Sequence, residues 1–318
     1  MKTIKTDSLE IFKQNNVYEN CKWGLVNQNA YISVVATNAC QCSCPYCINS
    51  ATDHSKHLPI DKAIRNIQSL VGYINNEPEV IILGGEPLLH PAILDLIKEL
   101  RTMKYCNFKA LGKVRITTNG IKLKSNNDFI KALVDSDYGV EGINISFHNE
   151  DFMTLDELRW VYDTIKIHNP NIKVRVNTNV WRGNLDNIEA LQKHLRDISF
   201  VDEIRLSNII RKDSFSVNSQ NIGDALVLPD EKYIKLFTEL IERYSNNYTI
   251  FENPKTLGFV RYFLIPTPCP IIVNWNIGST VSEQICENEI GERKINTFKC
   301  LVSGDISLSW NTDNIIEL

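Results

Sequence analysis

Between residues 31 and 209, short β-branched runs alternate with stretches whose apolar residues recur every three or four positions. The first kind predicts strands at Tyr31–Thr37, Glu79–Leu83, Val114–Thr118, Gly142–Phe147, Ile172–Val180 and Glu203–Asn208. The second predicts helices near 60–75, 91–103, 126–135, 154–168 and 187–197. Alternation of this kind builds βαβ units around a parallel sheet. Six such units give an α/β fold, a partial (β/α)6 TIM-like barrel rather than the closed barrel of eight. After residue 210 the pattern changes. A polar stretch from Lys212 to Asp224 leads into a helix over Asp230–Tyr244 and then a β-rich tail, where Phe298 to Trp310 reads as a hairpin turning at Ser303-Gly304-Asp305. The expected organisation is an N-terminal extension (1–30), a partial-barrel core (31–210) and a C-terminal β-containing extension (211–318) that covers the barrel mouth.

Composition narrows the class without choosing a function. The 318 residues are 43% apolar and 23% charged, which is ordinary for a globular protein. A net charge of −4 and the lack of any basic run argue against a nucleic-acid partner. No apolar stretch approaches the roughly 20 residues that span a bilayer, so no membrane partner is expected. The first 30 residues lack the basic-then-apolar layout of a secretory signal, and the expected location is cytoplasmic. Cysteine usage changes the picture more. Of nine cysteines, four crowd into residues 40–47, too close for a disulfide framework. In a reducing compartment such crowding points to metal or redox chemistry. Cys21 and Cys106 stand alone and read as structural thiols.

The crowded run, Asn38-Ala39-Cys40-Gln41-Cys42-Ser43-Cys44-Pro45-Tyr46-Cys47, contains Cys40-x3-Cys44-x2-Cys47. Three thiolates in one tight loop can hold an iron–sulfur cube that normally takes four, leaving one iron for something other than protein. Two other readings exist. Cys44-Pro45-Tyr46-Cys47 is also the dithiol sequence of glutaredoxins, which are small and have no use for Cys40. A structural zinc site would want a second ligand pair; His54 and His57 stand nearby, although both read as helix-surface residues.

Downstream, predicted strands end in Gly84-Gly85-Glu86-Pro87, Thr117-Thr118-Asn119-Gly120 and Ser146-Phe147-His148. Ligands of parallel α/β folds bind at the carboxyl ends of strands, so these residues belong to the same rim as the cysteine loop. Glycines let backbone approach a ligand closely, and Glu86 offers an acceptor to a cationic amine. His148 is either a substrate-side acid/base or a hydrogen-bonded rim residue.

Together these features resemble the radical S-adenosylmethionine (SAM) enzyme superfamily. The core is most similar to the branch that starts molybdenum-cofactor synthesis by cyclising GTP, through Val114-Arg115-Ile116-Thr117-Thr118-Asn119-Gly120, Ile143-Asn144-Ile145-Ser146 and Val174 to Asn184, with Arg175 where that branch carries lysine. The resemblance covers residues 31 to about 209. It implies a [4Fe–4S] cluster on Cys40, Cys44 and Cys47 whose open iron chelates SAM. Reductive cleavage of SAM would then give a 5′-deoxyadenosyl radical that abstracts hydrogen from substrate. It further implies that Gly84, Gly85, Glu86 and Pro87 meet the SAM amine, that Thr118 and Ser146 meet its ribose or carboxylate, that Arg175 meets its carboxylate or ribose, and that Asn119 also binds the cofactor, with Tyr46 beside the cluster. An electron donor such as flavodoxin or ferredoxin is implied as partner. The chain departs from the cyclases in its tail. Cys269-x16-Cys286-x13-Cys300 replaces their Cys-x2-Cys…Cys pattern, and the ending Ile315-Ile316-Glu317-Leu318 replaces their Gly-Gly, so GTP cyclisation is not assigned. Those three cysteines are either buried structural thiols or ligands of a second iron–sulfur cluster. With only about 30 residues ahead of the core, no winged-helix peptide-recognition domain fits there, which favours a small-molecule substrate. The alternatives are a maturase of a ribosomally made peptide and a non-catalytic SAM- or cluster-binding protein.

Overall fold

The computed structural model describes residues 18–44, 46–47, 53–74, 77–103, 111–148, 152–209, 230–243, 248–252, 259–264, 271–276, 285–287, 293–308 and 315–318. Cys106, the stretch from Lys212 to Asp224, Tyr244, Cys269 and Trp310 lie outside the described residues.

β1 (Tyr18–Cys21) precedes a core that follows the predicted order: β2 (Gly24–Thr37), α1 (Ile60–Tyr73), β3 (Glu79–Gly84), α2 (Ile93–Thr102), β4 (Val114–Thr118), α3 (Asn127–Leu133), β5 (Gly142–Ser146), α4 (Leu155–His168), β6 (Lys173–Val180), α5 (Ile188–Asp197) and β7 (Glu203–Asn208). Then come α6 (Asp230–Arg243), β8 (Tyr248–Glu252), β9 (Phe259–Leu264), β10 (Ile271–Asn276), β11 (Ile285–Glu287), β12 (Arg293–Cys300) and β13 (Ile306–Ser307). Side chains mark several helix starts. Thr154 and Glu157 form a reciprocal capping box on α4, and Asn126 and Asn187 accept from the backbone N–H groups of Phe129 and Ala190 to cap α3 and α5.

Strands β2 to β7 pair side by side and all parallel, which is the six-unit partial barrel expected from sequence. Two features differ from expectation. β2 begins at Gly24, seven residues before Tyr31, because a hairpin with β1 and pairing with β12 recruit its polar first half. The tail, moreover, joins the sheet at both edges: β12 lies parallel to β2, and β10 lies parallel to β7. β9 and β8 continue antiparallel beyond β10, and β11 lies beyond β12. The expected hairpin is present, with Lys299 opposite Ser307 and Cys300 opposite Ile306. Its turn is held to α1 by Lys62–Asp305 at 2.7 Å and by Asn66 Nδ2 donating to the Gly304 carbonyl.

Burial alternates along β4 and β6. Val174, Val176, Thr178 and Val180 face the helices, in one core with Ile116, Ile143, Ile145, Ile204 and Leu206. A parallel sheet packed on both faces would read apolar throughout. Here Thr117, Asn144, Arg175, Asn177 and Arg205 fill the alternate positions, so the second face is polar. Among the described residues, no helix is long and apolar enough to cross a membrane.

Candidate functional site

The cysteine loop leaves the carboxyl end of β2 through a network centred on Thr37. Its hydroxyl donates to the Lys56 carbonyl at 2.9 Å and accepts from the Ala39 N–H at 3.0 Å. With its single proton used, the hydroxyl must accept from His57 Nδ1–H at 2.9 Å. His57 and the exposed His54 therefore belong to the segment before α1 rather than to a helix surface.

Gly84 and Gly85 lie against this loop. The Gly85 N–H donates to the Thr37 carbonyl and the Glu86 N–H to the Ala39 carbonyl, both at 2.7 Å. A Cβ on Gly85 would stand 2.4 Å from Ala39 O, and one on Gly84, where φ is +154°, would stand 2.3 Å from Thr37 O. The close approach these glycines permit is to the cysteine loop itself.

Glu86 is 1% exposed. Its Oε1 accepts from Thr118 Oγ1 at 2.6 Å and from the Leu88 N–H at 3.1 Å, while Oε2 accepts from the Asn119 N–H at 2.7 Å. Burial pushes its carboxyl above the usual range, against the pull of these donors and of Lys122. The carboxylate thus ties the end of β3 to the end of β4. Pro87 opens the buried 3₁₀ turn that follows.

Cys40, Cys42, Cys44 and Cys47 are all partly exposed thiols. Burial raises the Cys44 thiol while its hydrogen bond with Tyr46 lowers it; burial and the neighbouring Cys40 and Cys44 push Cys42 up to about 12. The Tyr46 ring packs 4.6 Å from Trp181 and 5.5 Å from His148. His148 Nδ1 accepts from the Asn179 N–H at 3.0 Å, and its carbonyl accepts from Asn184 Nδ2. Burial, then His194, bring it down to about 4. Its neutral ring therefore carries its proton on Nε2.

On the polar face, Thr117, Asn144, Arg175 and Glu203 stand in one row across β4 to β7. Asn144 Nδ2 donates to Thr117 Oγ1 at 3.1 Å, and Arg175 Nε packs on the Glu203 carboxylate. Ser146, Asn177 and Arg205 form the next row, about 7 Å nearer the rim. Arg175 accordingly sits one layer below Ser146 and is already held by a protein carboxylate.

Of the tail cysteines, Cys269 lies outside the described residues, and Cys286 and Cys300 lie on neighbouring strands. Cys300 is fully buried beside Phe298 and pushed up to about 12 by burial. Cys286 stands opposite Lys294, roughly 20 Å along β12 from Cys300. Sequence reasoning passed over Trp181 and the Asn119–Cys42 contact. Trp181 was findable, since it directly follows a strand end at the same rim.

Among the described residues, no three His, Cys, Asp or Glu side chains form a single-ion site. A cube asks for something else, one thiol per iron. Three partly exposed thiols, close enough to perturb one another, are the donor set it needs.

A family model described as Radical SAM superfamily matches residues 34–204, just over half of the chain. Curated relatives include GTP 3′,8-cyclases of Chlorobaculum tepidum, 29% identical over 177 residues (52% of this chain, 50% of the relative), and of Clostridium perfringens, 28% identical over 190 residues (54% of each). The chain spans about half the length of these curated relatives. Among solved structures, Streptococcus suis SuiB bound to its precursor peptide SuiA has a TM-score of 0.56 at 15% identity, covering 97% of this chain and 65% of that one. The protein anSMEcpe with bound AdoMet has a TM-score of 0.51 at 14% identity, covering 67% and 58%.

Proposed function

The chain belongs to the radical SAM superfamily, and on that premise we propose that it binds a [4Fe–4S] cluster on Cys40, Cys44 and Cys47 and abstracts hydrogen from a small polar substrate. The observation that carries this reading is the backbone-to-backbone packing of Gly84-Gly85-Glu86 on the cysteine loop, which ties the two most telling motifs into one rigid rim. When bound, the cluster and SAM supply a one-electron cleavage, which is chemistry that side chains lack.

The protein residues hold and orient. Cys40, Cys44 and Cys47 would each ligate an iron. Glu86, committed to Thr118, Asn119 and Leu88, fixes the β4 end where Thr118 and Asn119 would meet SAM. The backbone of Gly84 to Pro87 then offers the amine contact. Ser146 would take the ribose or carboxylate, Arg175 stays paired with Glu203 one layer deeper on the same face, and the Tyr46–His148–Trp181 corner would exclude water from the cluster side. The C-terminal extension, fixed along both sheet edges, would cover the mouth. Flavodoxin or ferredoxin would supply the electron.

A second reading of the substrate has one observation in its favour. The fold likeness to SuiB runs through the tail as well as the core, and that protein is bound to a precursor peptide. A peptide fraction and a small-metabolite fraction, each tested for stimulation of deoxyadenosine release, separate the two.

The class itself is tested by anaerobic reconstitution. About four irons and four sulfides per chain are expected, with deoxyadenosine released when SAM and a strong reductant are added. Cys40→Ala, Cys44→Ala and Cys47→Ala should each abolish that release. Retention by any one of them would overturn the ligand assignment, and cluster binding without deoxyadenosine would make this a non-catalytic relative.

A further inference from the structure

The loop carries a fourth thiol that the cluster does not require. Cys42 lies between two expected ligands, and its backbone N–H donates to Cys40 Sγ at 3.4 Å. Its own sulfur accepts from Asn119 Nδ2 at 3.3 Å. Asn119 is fixed in turn. Its N–H donates to Glu86 Oε2 at 2.7 Å, and its Oδ1 accepts from the Ile121 N–H at 3.0 Å and from Gln41 Nε2 at 3.5 Å. A backbone N–H can be met only by the amide oxygen, so the NH₂ end is the one that faces Cys42. The chain of contacts therefore runs from Glu86 through Asn119 and Cys42 to a ligand sulfur.

Hydrogen bonds to the sulfurs are among the factors that set an iron–sulfur potential. An N–H aimed at a ligand sulfur stabilises the reduced cluster, which carries one more negative charge than the oxidised one. We infer that Asn119 and Cys42 are positioning residues: Asn119 anchors the Cys42 side chain so that the Cys42 N–H stays on the Cys40 sulfur, and the pair thereby sets how readily the bound cluster accepts an electron. This rests on the reading that Cys40, Cys44 and Cys47 hold a four-iron cluster.

The test is an EPR-monitored redox titration of the reconstituted full chain, with iron and sulfide counted in every sample. The proteins compared are wild type, Asn119→Ala, Cys42→Ala, Cys42→Ser and the double alanine variant. All should hold about four irons. Each single alanine change should lower the ratio of reduced to oxidised cluster at a fixed poise about tenfold, a shift of about 59 mV for one electron. The double variant should fall no further than either single one, because both remove the same link. Cys42→Ser, which keeps an acceptor for Asn119, should stay within about threefold of wild type.

An unchanged ratio in Asn119→Ala, or a double variant at the product of the two single effects, overturns the anchor. So does Cys42→Ala taking up fewer irons, which would make Cys42 a ligand. Wild-type protein that takes up no cluster overturns the underlying reading instead, and that failure is recognised because no variant is needed to see it.

Discussion

Gly85→Ala is the sharpest probe of how the two motifs are joined. The added methyl would stand 2.4 Å from Ala39 O and 2.6 Å from Asn38 O, where ordinary contact begins near 3.4 Å. The obstacles are backbone atoms, so the cysteine loop must retreat by about 1 Å. Overpacking of this kind costs about 1–3 kcal/mol. The two 2.7 Å hydrogen bonds from Gly85 and Glu86 to the loop are stretched at the same time, at about 1 kcal/mol each. A total of about 3–5 kcal/mol lowers the melting temperature by about 6–10 °C for a chain of this size. Gly72→Ala is the internal control. Nothing lies within 4 Å of the new Cβ in α1, so the change should stabilise by about 0.5–1 kcal/mol. Scanning calorimetry of both variants, with iron counted after reconstitution, reads the two effects. A 1 Å displacement of a reacting group can cost about 100-fold in rate, so deoxyadenosine release should fall further than stability does. A Gly85→Ala protein that melts like wild type and takes up full iron would refute the packing argument.

Two acid–base predictions follow from buried groups with opposite signs. Burial raises the Glu86 carboxyl above its ordinary 4.5, so the native state holds more protons than the unfolded chain above that pH and loses stability as pH rises. Wild type should therefore lose ground to Glu86→Gln from about pH 4.5 upward in denaturant titrations, and a gap independent of pH would remove the charge from the account. His194 is the converse: burial lowers it from 6.5 to about 4, and its ring donates from Nε2 to Thr178 Oγ1, whose own proton goes to the Phe147 carbonyl. The stability it contributes is present above pH 6.5 and lost as pH falls toward about 4. The advantage of wild type over His194→Gln should shrink by up to about 3 kcal/mol across that window, and a constant difference would show that the fold does not hold His194 neutral.

Much of the core was legible because its strands are short β-branched blocks separated by amphipathic helices, three of them capped by a side chain, and local pattern suffices for those. The first half of β2 was not. Gly24 to Ala30 includes Asn27-Gln28-Asn29, which has little strand propensity, and it becomes strand through β1 and through β12, some 270 residues away. The same non-local pairing hid the fact that the tail extends the sheet at both edges. At the site, the sequence marked which residues reach the rim but not which way they face. Glu86 reads from sequence as a ligand acceptor, and nothing local shows that Thr118 and Asn119, more than 30 positions later, also donate to its oxygens.

The alternation along β6 carries the argument one step further, because two adjacent residues should answer opposite questions. Val176 is fully buried against the helices, and Val176→Ala should cost about 2 kcal/mol with SAM affinity preserved. Asn177 points to the polar face, and its Oδ1 is buried with no hydrogen-bond partner among the described residues. Leaving a buried acceptor unmet is costly, so its removal should leave stability unchanged or slightly improved. If that face is where ligand lies, an acceptor without a protein donor in the row of Ser146 and Arg205 is there to meet a donor on the ligand, and Asn177→Ala should weaken binding about tenfold, or roughly 1.4 kcal/mol. Calorimetric unfolding and SAM titration on both variants check this directly. A stable Asn177→Ala protein that binds SAM and releases deoxyadenosine like wild type would mean that the polar face is not the ligand face, whatever the cysteine loop holds.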